Sequence, residues 1–325
     1  MNGRLRFHKS GLVLALFAAV AAAHAQPYPQ KPVRIVVPFA PGGGVDFTAR
    51  IIAQRLTEIF SQQTVVDNRP GAGGIIGSEI VAKAPPDGYT LLMGSTGTLS
   101  INPGLYPKLP YDPGKDFTAI TQVALVPNIV VVHPSLPVKS IRELIAFAKV
   151  RPGQLSYGTG GNGTSNHLSG ELFKHMAGIE ILHVPYKVGA QATSDLIAGQ
   201  LTVMFDNLPT SLPHVKSRKL RALAVTSSNR SPAAPEIPTV TESGLKGYEV
   251  TGWAGLLARV TTSAEVVTRV HASVVQLLSQ TDVRERLLVQ GAETVGDTPQ
   301  QFAAFIRAET AKWGNVIRDA GIKLN

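Results

Sequence analysis

Val33-Arg34-Ile35-Val36-Val37-Pro38-Phe39-Ala40-Pro41-Gly42-Gly43-Gly44-Val45-Asp46 sets the architecture. The run to Val37 is almost all β-branched and reads as a buried strand, which Pro38 ends because proline cannot donate to a sheet ladder. The glycines allow a sharp turn. From residue 42 to 61, Ala49, Ile52, Ala53, Leu56 and Ile59 recur at helical spacing. Working outward, residues 64–67 read as a strand, and 74–84 as a helix stopped by the turn signal Pro85-Pro86-Asp87-Gly88. Residues 89–93 read as a third strand. Strand, helix, strand, helix, strand predicts a parallel, doubly wound sheet.

The rhythm restarts downstream. Residues 140–149 form a helix, with Ser140 as N-cap and Glu143 completing a capping box. Strands over 155–157, 181–184, 202–205 and 220–225 enclose helices over 165–177 and 189–198. A second α/β lobe follows. Two apolar extended stretches, 120–133 (interrupted by Pro127) and 250–259, fit neither lobe and read as crossings between them. Residues 264–322 are mostly helical and are expected to pack back on the first sheet. The division is then 26–126 for the start of lobe one, 127–249 for lobe two and 250–325 for the return. Two lobes joined by two crossings make a hinge-closing clamp.

The first 25 residues read differently. Arg4, Arg6 and Lys9 precede an apolar run over 11–23, and Ala23-His24-Ala25 places small residues before Gln26, the pattern of a cleaved secretory signal peptide. The run is shorter than the roughly 20 residues of a spanning helix. The chain has no cysteine, so neither a lipid anchor nor a disulfide is available. Arg4 and Arg6 are separated, so no twin-arginine signal is present. The net charge of +9 gives no Lys/Arg-rich run with interleaved aromatics, so nucleic acid is not an expected partner.

In sheets of this kind ligands lie beyond the carboxyl ends of the strands. Three such ends are unusual here. In the 38–46 loop, Phe39, Ala40, Gly42 and Gly43 let the backbone approach a ligand, and the helix start offers amides to an anion, with Asp46 bracing the turn. Gly94-Ser95-Thr96-Gly97-Thr98 offers small hydroxyls, Ser95 and Thr96 among them. Tyr157-Gly158-Thr159-Gly160-Gly161-Asn162-Gly163-Thr164-Ser165-Asn166-His167 enters a helix, and Thr159, Gly160, Asn162, Gly163, Thr164 and His167 are its candidates for a ligand nest. Asp206, at a strand end in lobe two, has the same reach, as has Val188 at that lobe's mouth.

Competing chemistries fail on particular residues. Gly158 and Gly163 have phosphate-loop spacing, but Thr164 stands where the lysine is required. Gly71-Ala72-Gly73-Gly74-Ile75-Ile76-Gly77 misses the dinucleotide pattern GxGxxG by one residue and reads as a turn. No nucleophile elbow, cysteine nucleophile or paired-histidine metal motif is present. Neither catalysis nor a cofactor or metal is expected.

These loops in this order resemble the Bug family, the substrate-binding components associated with tripartite tricarboxylate transporters. The matching stretches include Pro38 to Asp46, Asn68-Arg69-Pro70-Gly71-Ala72-Gly73-Gly74 and Ala84-Pro85-Pro86-Asp87-Gly88-Tyr89-Thr90-Leu91-Leu92. They continue through Tyr157 to His167, His183-Val184-Pro185-Tyr186-Lys187, Phe205-Asp206-Asn207 and Leu220-Arg221-Ala222-Leu223-Ala224-Val225-Thr226. The resemblance implies a periplasmic clamp of Venus-flytrap architecture. Its loops matching Phe39 to Asp46 and Gly158 to Thr164 would hold a carboxylate through backbone amides and bridging waters. The ligand expected is a dicarboxylate, tricarboxylate, aromatic acid or amino acid, and the partners are inner-membrane transporter subunits, with the chain acting as a monomer. A sensing role, presenting the closed form to a membrane sensor, is the alternative. The sequence departs from the family twice. Val188 separates Lys187 from Gly189, and Arg259-Val260-Thr261-Thr262 replaces a proline- and glycine-containing turn, placed by this reading near a crossing.

Overall fold

The computed structural model describes residues 28–323, so the signal-peptide reading lies outside the described residues. Strands β1 (Val33–Val37), β2 (Thr64–Asn68) and β3 (Thr90–Ser95) pair in parallel in the order β2-β1-β3. Helices α1 (Gly44–Phe60) and α2 (Ile75–Ala82) connect them. Val33, Ile35 and Val37 point into one core with Ile52 and Leu56 of α1, while Val36 on the opposite face joins Val81 and Leu92. A strand buried on both faces is nearly all β-branched for this reason. After β3 the chain takes a wide helical turn over Gly97–Ile101 into the short helix α3 (Asn102–Leu105).

The first crossing is more than a linker. Strand β4 (Phe117–Val132) pairs antiparallel with β9 (Thr251–Arg259) as far as Pro127, then changes partners. From Asn128 onward it lies between β7 (Val203–Asn207) and β8 (Arg221–Val225). Pro127, lacking an N–H, stands where the ladder switches. β9 also pairs with β3, so it closes the first lobe's sheet on its return. Thr226 pins the two crossings together: its hydroxyl accepts from the Asn128 amide and donates to the Val250 carbonyl.

The second lobe repeats the parallel pattern. β5 (Ser156–Thr159) lies between β6 (Leu182–Pro185) and β7. Helices α4 (Ile141–Lys149), α5 (Ser165–Ala177), α6 (Gly189–Ile197) and α7 (Leu208–Lys216) complete it. Ser140 caps α4 as expected, accepting from the Glu143 amide, but the Glu143 carboxylate accepts from Lys139, one residue before the cap.

The tail forms α8 (Ala264–Leu278), α9 (Thr281–Val289), the two-residue strand β10 (Glu293–Thr294) on β4, and α10 (Pro299–Asp319). Phe302 and Ile306 of α10 pack with Trp253 and Leu257 of β9, while its later residues Trp313 and Ile317 join Ile101 and Leu105 around α3 in a cluster that continues into the core of the second lobe. Arg259-Val260-Thr261-Thr262 lies at the end of β9 away from the crossing at Thr251, beside Phe117 and Asp116. The departure therefore lies at the opposite end of β9 from the Pro127–Thr251 pairing, not near the crossing as expected. Thr261 supplies the turn with a left-handed φ of 68°.

Candidate functional site

Between the lobes lies a cavity of about 650 Å³ lined from both sides. The first turns of α1 (Gly44, Val45), α5 (Ser165, Asn166) and α6 (Gly189, Ala190) all contribute to the wall, as does the start of α7 (Asn207, Thr210). Neither Gly43, the cap of α1, nor Val188, the cap of α6, bonds the helix start with its side chain. First-turn N–H groups have no partner within their own helix, so these starts offer donors at the positive end of a dipole.

Asp46 is a brace. It is only 2% exposed, and it accepts from the Gly42 amide, Asn68 Nδ2 and Arg50 Nε, each at 2.9 Å. Burial works to raise its pKa, but the bonds from Arg50, Gly42 and Asn68 outweigh it and hold the carboxyl below its ordinary value. The glycine loop is thereby fixed from behind.

The second loop has its own brace. Thr164 caps α5 by accepting from the His167 amide and donates to the Gly161 carbonyl. His167 Nδ1 accepts from the Gly163 amide, and the Thr159 hydroxyl bonds His183 Nε2 at 2.7 Å. The two imidazoles stack 4.3 Å apart, and Tyr157 stacks on the far side of His183 at 4.9 Å. Burial holds His167 down to about 4; burial and then the His167 charge hold His183 down to about 3. Both are neutral at neutral pH. The stack is a wedge under the loop.

Of the candidates read from sequence, Phe39, Ala40, Gly42, Gly43, Ser95, Thr96, Gly160, Asn162, Thr164, Val188 and Asp206 line the cavity. Asp46, Thr159, Gly163 and His167 do not; they stand behind the wall and position it. Ser95 and Thr98 bond each other, and Thr96 Oγ1 accepts from the Trp253 amide, so this turn is largely self-satisfied. Burial pushes Asp206 up to about 6, against bonds from Ser211, the Asn207 amide and Thr193 that tie α6 and α7 to β7. Asn207, next to Asp206 at the same strand end, lines the cavity too, whereas sequence reasoning missed the Gly71–Gly74 turn, Tyr106, Val126, Tyr186, Lys187, Thr210 and Trp253. The 71–77 stretch, read as a plain turn, brings Gly73 against the Asn162 carbonyl of the other lobe. Among the described residues no group of three or more His, Asp or Glu could hold a metal, and no helix is long and apolar enough to cross a membrane.

Two α/β lobes around a cleft walled by glycine turns define a two-lobe solute receptor. The residues 48–322 match the model of the tripartite tricarboxylate transporter family receptor, and the chain belongs to that family. It is 36% identical to Protein BugT of Bordetella pertussis over 315 residues, covering 97% of each chain. An R. palustris protein solved with adipate is 42% identical, with a TM-score of 0.89 over 91% of this chain and 99% of that one. MatC from Rhodopseudomonas palustris, solved with bound malate, is 32% identical, with a TM-score of 0.85 over 89% and 100%. These relatives are substrate-binding receptors, not enzymes.

Proposed function

We propose that this protein captures a small carboxylate in the periplasm and delivers it to the membrane subunits of a tripartite tricarboxylate-type transporter. The moving bodies are residues 26–126 with the return segment 250–325, and residues 127–249, hinged where Pro127 faces Thr251. One carboxylate of the ligand takes the main-chain amides of the 39–45 and 160–166 turns. The observation that carries this reading is the convergence of the α1, α5 and α6 starts on one inter-lobe cavity. Such amides hold an anion by dipole and hydrogen bond without a formal cation. Closure follows from contacts that exist only when both lobes meet the ligand. Adipate and malate in the two solved relatives support an acid as the cargo.

The test is mass spectrometry of the small molecules released from natively purified protein, followed by calorimetric titration with the acid found. A bound organic acid whose affinity falls when the 39–45 turn is altered supports the reading. Protein carrying only a nucleotide or a metal would refute it.

A further inference from the structure

The two sides of the cavity differ in charge. The first-lobe wall of Pro38, Phe39, Ala40 and Pro41 presents hydrocarbon and main-chain groups. Across the cleft, Lys187 follows β6 and precedes Val188, the cap of α6, and it is the one Lys or Arg among the residues lining the cavity. It is exposed, and its ammonium has neither an ion pair nor a hydrogen bond among the described residues. The one carboxylate of the lining, Asp206, is already committed. One oxygen accepts from the Thr193 and Ser211 hydroxyls, and the other from the Asn207 amide. Lys187 is thus an uncommitted cation facing a cavity whose other anion-binding groups are all uncharged.

We propose that Lys187 determines specificity by reading a second anionic group, so that the protein selects an extended dianionic acid with an apolar middle over a monoanion of equal length. The inference rests on the carboxylate-capture reading above. A first carboxylate held by amides does not distinguish the two, because both acids possess it. The second carboxylate loses hydration as the lobes close beside Phe39 and Val188, and the Lys187 ammonium, the one cationic side chain of the lining, replaces that hydration with a charge-assisted hydrogen bond. A lysine, a point charge on a flexible stem, accepts this group at several chain lengths. Selection is then by number of charges more than by length.

The experiment is calorimetric titration of the purified, ligand-stripped protein with succinate, adipate and azelate, each against its monoacid partner butyrate, hexanoate or nonanoate. The diacid of at least one pair should bind about tenfold more tightly than its partner. Lys187→Met should collapse that ratio toward one, and Lys187→Arg should restore most of it. Equal melting temperatures of unliganded wild type and Lys187→Met check that the exposed substitution leaves the fold intact. A diacid-to-monoacid ratio unchanged in Lys187→Met, or no preference in wild type, overturns the proposal while leaving carboxylate capture standing. Failure of every acid to bind overturns carboxylate capture itself, and this proposal with it.

Discussion

Gly97 opens the helical turn after β3, and alanine there tests whether the lobes shut against each other over the ligand. A Cβ on Gly97 would stand 2.7 Å from the Gly163 carbonyl oxygen and 3.6 Å from Thr164 Cα, both on the opposite lobe. A carbon approaches a carbonyl oxygen comfortably at about 3.3 Å, so the second-lobe loop must withdraw by about 0.6 Å. That loop is main chain between β5 and α5, braced by His167, and cannot rotate away as a side-chain end would. Overpacking by one methyl group costs about 1–3 kcal/mol. When the lobes part, the clash vanishes, and alanine in a helical turn gains about 0.5–1 kcal/mol over glycine. The closed, liganded form therefore bears the whole penalty. Affinity for the natural acid should fall about 5-fold to 150-fold in Gly97→Ala, read by calorimetry. The unliganded melting temperature should hold or rise slightly, while the rise on adding ligand shrinks. A dissociation constant within about twofold of wild type would refute closure of Gly97 against the Gly163 carbonyl. So would a drop of several degrees in the unliganded protein, because the contact would then belong to the resting fold.

Asp46→Ala strips the acceptor from Gly42, Asn68 and Arg50. With the half-exposed Arg50 pair discounted, urea denaturation should show a loss of about 2 kcal/mol, and an unchanged midpoint would contradict the bracing role. Because the folded pKa of Asp46 is lowered, its stabilisation is complete above the unfolded value near ~4 and is lost as pH falls through the folded one. His167 and His183, at about 4 and about 3 when folded against 6.5 for the free side chain, act in a higher window. The unfolded chain binds more protons there, so stability is full above the unfolded value and falls as acid is added toward the folded ones, by at most about 2.7 kcal/mol per pH unit. His183→Phe should roughly halve that slope, and a wild-type profile flat between roughly pH 6 and pH 4 would contradict the buried, neutral pair. Val188→Gly removes hydrocarbon worth about 0.8 kcal/mol per buried methylene, so adipate affinity should fall more than malate affinity; equal losses would show that Val188 does not meet the ligand's middle.

Much of the fold is legible because burial imposes periodicity. Val33-Arg34-Ile35-Val36-Val37 can hardly be anything but a doubly buried strand, and the apolar spacing through Leu56 follows the face of α1 that packs on it. The crossings were harder. Residues 120–133 read as extended, yet nothing local says that β4 serves two sheets, because the change of partner at Pro127 depends on β9, β7 and β8 arriving from far along the chain. Arg259-Val260-Thr261-Thr262 was placed near a crossing for the same reason: sequence distance from Thr251 does not say which end of a strand faces the hinge.

The site divides along a different line. Main-chain amides leave a trace in sequence through the glycines and prolines that expose them, so the 38–46 and 157–167 loops stand out before any coordinates. Which residue of a loop faces the ligand and which faces the core is decided by what packs beneath. His167 turns away from the cavity because His183, itself stacked on Tyr157, offers it a stack, and Thr159 turns away because its hydroxyl bonds His183 Nε2 at 2.7 Å. Conversely, Gly71–Gly74 looks like an ordinary turn until Asn162 approaches it from the other lobe, where a Cβ at Gly73 would come within 2.4 Å of a carbonyl oxygen. Lys187 gave no signal, since an exposed lysine after a strand is common and its significance lies in the scarcity of other cations around the same space. In the proposed function, capture and selectivity therefore rest on different chemistry: capture on backbone geometry that glycine makes visible, and selectivity on an isolated side chain, Lys187, whose meaning exists only in the closed cleft.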